Sequence, residues 1–158
     1  MRANTLAQSE TRSRGASPTT EPAKILVLDD EAYVRQMLAE ILTREGHVVY
    51  LADGRNAKDM LITESFNLII TDLKMPGMCG IDVLALAKQT SPDTKLMVIT
   101  GYPSKATLDE GLEMGAEAYI TKPFHVAELR LAVRRVLKSK PSSRQKRAAA
   151  TAGGATPP

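Results

Sequence analysis

Cysteine is almost missing from this chain: one residue, Cys79, among 158. A single thiol can form neither an internal disulfide nor a cysteine cluster for a metal. It reads as a small loop residue of a reducing compartment. Histidine is nearly as scarce, and His47 and His125 both read as structural or solvent-facing. No apolar run approaches the roughly 20 residues that a membrane helix needs. The N-terminus lacks the apolar core of a secretory signal. Its Arg and Ser content would suit a transit peptide, but Glu10 and Glu21 oppose that reading.

Acid and base are unevenly spread. The chain carries +3 overall; residues 1–22 hold +1 and residues 138–158 hold +5, which leaves −3 for residues 23–137. The central part is therefore mildly acidic, and charge does not support a nucleic-acid role for it. The basic tail reads as a solvated segment. Hydrophobic content of 43% and charged content of 25% are ordinary for a globular protein. The length suits one domain with tails. We place a disordered leader at 1–22, the domain at 23–138 and a disordered, basic, low-complexity tail at 139–158.

What is present is a strict alternation of short apolar runs and helical-period segments. The runs predict strands at 24–28, 47–51, 67–72, 95–100 and 118–121. Helices are expected at about 31–45, 55–64, 80–89, 104–114 and 125–138. Val34, Met37, Leu38, Ile41 and Leu42 recur at helical spacing, and Gly46 stands where a C-cap glycine belongs. Such alternation calls for an α/β fold: a doubly wound, five-stranded parallel sheet with helices on both faces. The expected strand order is 2-1-3-4-5.

The strand ends carry the chemistry: Asp29 and Asp30, Asp72, Thr100 and Lys122. Parallel strands point one way, so these side chains meet along one edge, where the order reverses between strands 1 and 3. Three carboxylates this close repel; either one takes up a proton or a cation neutralises them. Hard oxygen donors at an open edge suit Mg²⁺. Lys122 adds a fixed positive charge and Thr100 a hydroxyl donor. The set suits attack by Asp72 on phosphorus, giving an aspartyl phosphate. Each residue alone has a plainer reading. Asp29 and Asp30 also suit the cap of the first helix. Asp72 suits a strand end, and Lys122 the surface.

Four segments decide between these readings. They are Leu-Val-Leu-Asp-Asp-Glu at 26–31, Asp-Leu-Lys-Met-Pro-Gly-Met-Cys-Gly at 72–80, Val-Ile-Thr-Gly-Tyr at 98–102 and Ala-Tyr-Ile-Thr-Lys-Pro-Phe at 118–124. Together they resemble the receiver domain of two-component response regulators, of the stand-alone, chemotaxis-receiver-like kind. The resemblance covers about residues 23–138 and implies a flavodoxin-like (βα)5 fold. It implies that Asp72 takes a phosphoryl group, with Mg²⁺, from a histidine kinase or a histidine phosphotransfer protein. Asp30 would then ligate the metal directly, Asp29 mainly through water, with Asp72 and the backbone carbonyl of Lys74 completing the set. Lys122 would pair with the phosphoryl oxygens, aimed by a cis Lys122–Pro123 bond. Thr100 and Tyr119 would form the switch pair, the ring turning inward behind the hydroxyl. Lys74 and Tyr102 flank the acceptor and would control access to it.

The same resemblance implies a cytoplasmic signalling protein, not an enzyme with a separate substrate, which catalyses only its own phosphorylation and dephosphorylation. It involves no membrane. No DNA-binding output domain is expected after residue 138, so the effect would be made by contact. Helix 4, strand 5 and helix 5 would form the face for a downstream partner or a self-dimer. Two other functions fit these residues less well. A pseudo-receiver that no longer switches calls for a broken acidic set, and this one is intact. A haloacid-dehalogenase-type phosphatase usually has a second Asp where Lys74 stands, and a flavin phosphate would meet an acidic loop after strand 1.

Overall fold

The computed structural model describes residues 21–140. The expected leader and tail, apart from two residues of each, lie outside the described residues. In chain order the elements are β1 (Lys24–Leu28), α1 (Ala32–Arg44), β2 (Val48–Ala52), α2 (Ala57–Thr63) and β3 (Leu68–Thr71). Then follow α3 (Gly80–Thr90), β4 (Lys95–Thr100), α4 (Lys105–Glu113), β5 (Ala118–Thr121) and α5 (Val126–Lys138). All pairings are parallel, in the order β2-β1-β3-β4-β5. Fold class and strand order are those expected.

The strands alternate their side chains between two cores, as a period of two dictates. Ile25, Val27, Leu68, Ile70, Met97 and Ile99 face α1 and α5, where Leu38, Leu42, Leu129 and Val133 meet them. Leu26, Leu28, Ile69, Leu96 and Val98 face the other way, against Leu61 of α2 and Val83 and Leu84 of α3. Burial on both faces explains why these strands read as continuous apolar runs.

Two elements depart from a uniform picture. α2 begins two residues later than expected, because side chains close a turn ahead of it. Asn56 Oδ1 accepts from Asp53 N at 2.8 Å, and Asp53 Oδ1 accepts from Arg55 N at 2.9 Å. α4 packs sparsely: Gly111 is its one buried residue, and Leu108 and Leu112 are exposed.

Candidate functional site

The carboxyl ends of β1 and β3 are held in step past their last ladder residues. Asp72 N donates to Leu28 O at 2.9 Å, which sets Asp72 beside the chain leaving β1. Asp29 follows Leu28 directly and is 2% exposed; Asp72 is 5% exposed. On the other flank Lys122 N donates to Thr100 O at 2.8 Å, so Lys122 leaves β5 beside the end of β4. The Lys122–Pro123 peptide bond is cis.

The Lys122 ammonium reaches back to both buried acids. Its Nζ lies 2.6 Å from Asp29 Oδ2, 2.9 Å from Asp72 Oδ2 and 3.3 Å from Glu31 Oε1. Burial pushes the Asp29 carboxyl above its usual range, against the opposing pull of Lys122. Burial would lower Lys122, but its bonds to Asp29 and Asp72 outweigh that and hold it above the usual lysine range. Lys122 is thus a fixed cation at neutral pH.

Asp29, Asp30 and Glu31 each offer one oxygen, all within 4.8 Å of one another. Asp29 Oδ1 also accepts from Glu31 N at 2.9 Å, and the Arg35 guanidinium donates to Asp29 O. Glu31, not Asp29 or Asp30, is the N-cap residue of α1, and no side chain there makes a cap bond. Asp72 stands outside this acidic group and is joined to Asp29 through Lys122 Nζ. Carboxylate oxygens at a partly open rim are the donors a hard divalent cation takes, so the residues present fit Mg²⁺.

Backbone packing fixes the loop after Asp72. Lys74 N donates to Asp72 Oδ1 at 3.1 Å, and Thr71 Oγ1 donates to Asp72 O at 2.8 Å. A Cβ at Gly80 would stand 2.2 Å from Asp72 O, so only glycine lets α3 start this close to the acceptor. A Cβ at Gly54 would stand 2.2 Å from Pro76 O, so the β2–α2 loop braces the same segment.

Thr100 is fully buried, and its Oγ1 accepts from Tyr102 N at 3.2 Å. Tyr119 is half-buried, with its Oη 3.1 Å from Thr107 Oγ1 on α4. The Lys74 ammonium lies 4.5 Å from the centroid of the Tyr102 ring, an exposed cation–π pair beside the acceptor. The sequence reading missed Glu31, although it closes the Leu-Asp-Asp-Glu run, and it missed Thr107. The Ser-x-x-Thr spacing at 104–107 was the available signal for Thr107.

Residues 25–134 match the family described as the response regulator receiver domain. The chain belongs to the response-regulator receiver family. This receiver is 34% identical over 118 residues to sporulation initiation phosphotransferase F of Bacillus subtilis, covering 74% of this chain and 95% of that one. It is 35% identical over 118 residues to the response regulator MprA of Mycolicibacterium vanbaalenii, covering 74% of this chain and 51% of the relative. The chain thus spans nearly all of one relative and about half of the other. Chemotaxis protein CheY4 of Vibrio cholerae matches with a TM-score of 0.68 at 32% identity, over 73% of this chain and 98% of that one.

Membership makes this chain a receiver domain of two-component signal transduction, in a family that accepts phosphoryl groups. Receivers bind Mg²⁺ through acidic residues, and the Asp29–Asp30–Glu31 group is consistent with that. Among the described residues, no helix is long and apolar enough to cross a membrane.

Proposed function

We propose that this receiver is a cytoplasmic phosphorylation switch in which Asp72 accepts a phosphoryl group from a phosphohistidine. The donor is a histidine kinase or a histidine phosphotransfer protein. The observation that carries the reading is Lys122 Nζ, 2.6 Å from Asp29 and 2.9 Å from Asp72. It puts a permanent cation against a buried carboxylate, where an incoming phosphoryl group also needs one.

Asp30, Asp72 and the Lys74 carbonyl would hold Mg²⁺, with Asp29 acting through water. Bound there, the ion supplies positive charge that lets a phosphoryl group approach a carboxylate. One Asp72 carboxylate oxygen attacks phosphorus in line with the leaving imidazole. The new P–O bond forms as the P–N bond breaks, and the imidazole nitrogen keeps the electron pair. Lys122 transfers its hydrogen bond from Asp72 to a phosphoryl oxygen. Thr100 turns its hydroxyl from Tyr102 N toward the same group. Later, water attacks the phosphorus, inorganic phosphate leaves, and the Asp72 carboxylate is restored.

The output is made by contact, through α4, β5 and α5, with a downstream protein or a second copy. The sparse packing of α4 supports this, since few buried contacts oppose its movement. Acetyl phosphate with Mg²⁺ tests the acceptor. The wild type should take up label and Asp72→Asn should not; equal labelling of both refutes the assignment.

A further inference from the structure

The first turn of α4 places more demand on one atom than it can meet. Thr107 Oγ1 lies 3.0 Å from each of Ser104 N, Ser104 Oγ and Ser104 O, and 3.1 Å from Tyr119 Oη. A hydroxyl has one proton to donate and two lone pairs with which to accept. Four neighbours therefore compete for three places. Ser104 belongs to a reciprocal capping box, since its Oγ accepts from Thr107 N at 3.1 Å. The Tyr119 hydroxyl competes with the cap of α4 for the same oxygen.

The packing beneath the helix points the same way. A Cβ at Gly111 would be 3.9 Å from Tyr119 Cδ2 and 3.7 Å from Val98 Cγ2. The Tyr119 ring thus lies along α4, beside a position with no side chain. Gly111 is also the one buried residue of α4, and an interior glycine weakens a helix. The cap is internal to α4, whereas the Tyr119 hydroxyl joins the start of α4 to β5.

We infer that Thr107 is a positioning residue that couples the Tyr119 ring to the start of α4. Its hydroxyl holds the ring against α4 while Thr100 is engaged with Tyr102 N, and releases it when Thr100 turns to the phosphoryl group. The inference rests on the reading of Thr100 and Tyr119 as the switch pair. Release frees a lone pair of Thr107 Oγ1 for Ser104, so the cap and the exposed Leu108 beside it rearrange together. The partner face then senses the acceptor through one hydroxyl.

The test is the apparent affinity for beryllofluoride, with Mg²⁺, followed through amide spectra of wild type, Tyr119→Phe, Thr107→Val and the double variant. Losing one neutral hydrogen bond that favours the unphosphorylated arrangement should tighten binding about 3- to 10-fold in either single variant. The double variant should bind no tighter than the singles, because both remove the same bond. Thr107→Ser keeps the hydroxyl and should restore wild-type affinity. Additive effects, or unchanged affinity in Tyr119→Phe, overturn the inference. Tyr119→Phe leaves the capping box intact, so it decides the matter even where Thr107→Val folds poorly. If the wild type itself binds no beryllofluoride, the acceptor reading fails, and the coupling falls with it.

Discussion

Replacing Lys122 by Met keeps a long side chain and removes its charge. Two carboxylates that are 2% and 5% exposed then face each other without the ammonium that now stands 2.6 and 2.9 Å from them. Breaking a buried ion pair from one side costs about 3–5 kcal/mol. The site opens at a rim, where the Lys122 side chain is 15% exposed, so the lower end applies, about 3 kcal/mol. Urea unfolding at pH 7 in chelator, followed by far-UV circular dichroism, should show a midpoint lower by about 1–3 M. The loss has a pH signature. Burial already raises the Asp29 carboxyl, and without Lys122 it rises further. Its folded form then binds a proton at a pH where the unfolded chain does not, so the loss shrinks as pH falls from 7 to 5. Mg²⁺ should recover part of it, about 2.7 kcal/mol at 100 times the dissociation constant. A loss below about 1 kcal/mol would refute the view that Lys122 neutralises this pair. So would a loss equal at both pH values and indifferent to Mg²⁺.

Gly111→Ala would put a methyl in ordinary contact, 3.7 Å from Val98 Cγ2 and 3.9 Å from Tyr119 Cδ2. It should stabilise the fold by about 1 kcal/mol and raise the thermal midpoint by several degrees; a lower midpoint would show that the space cannot be filled. His47 is buried and accepts from Ala23 N at 3.2 Å through Nδ1, and burial pushes its pKa below the usual 6.5. The unfolded chain then takes the proton first, so its contribution is intact above pH 6.5 and fades as pH falls below that. The urea midpoint of His47→Ala should be lower than wild type by the equivalent of about 1 kcal/mol at pH 7.5, with the gap closing at pH 5.5; a constant gap contradicts the protonation argument. Lys74→Ala with Tyr102→Ala removes the pair beside the acceptor and should speed acyl-phosphate hydrolysis about 2- to 5-fold. An unchanged rate would show that the pair does not shield Asp72 from water.

Most of the architecture was legible because period and punctuation agree. Leu68–Thr71 is too short and too β-branched for a helix, and Met75-Pro76-Gly77 ends it without ambiguity. Parallel topology then forces Asp29, Asp72, Thr100 and Lys122 to one edge, so the members of the site could be named before their geometry. What the sequence hides are contacts set by packing between distant segments. Nothing local says that the Lys122 ammonium falls between Asp29 and Asp72, since that depends on the β4–β5 register and on the side-chain path. Gly80 stands at the expected start of α3 and Gly54 just ahead of α2, but no local pattern says that Asp72 O and Pro76 O pack against them. The late start of α2 followed from the Asp53–Asn56 turn, where local polar bonds outcompete the helix. The competition at Thr107 Oγ1 on α4 needs Tyr119, which arrives from β5.

A structure of the receiver with Mn²⁺, in place of Mg²⁺, and beryllofluoride tests the central claim most directly. The anomalous peak of the metal should lie within bonding distance of oxygens of Asp30 and Asp72 and of the Lys74 carbonyl. Beryllium should sit on an Asp72 carboxylate oxygen, with Lys122 turned from that carboxylate to a fluorine. Metal bound away from Asp30, or beryllium on any other carboxylate, would contradict the account.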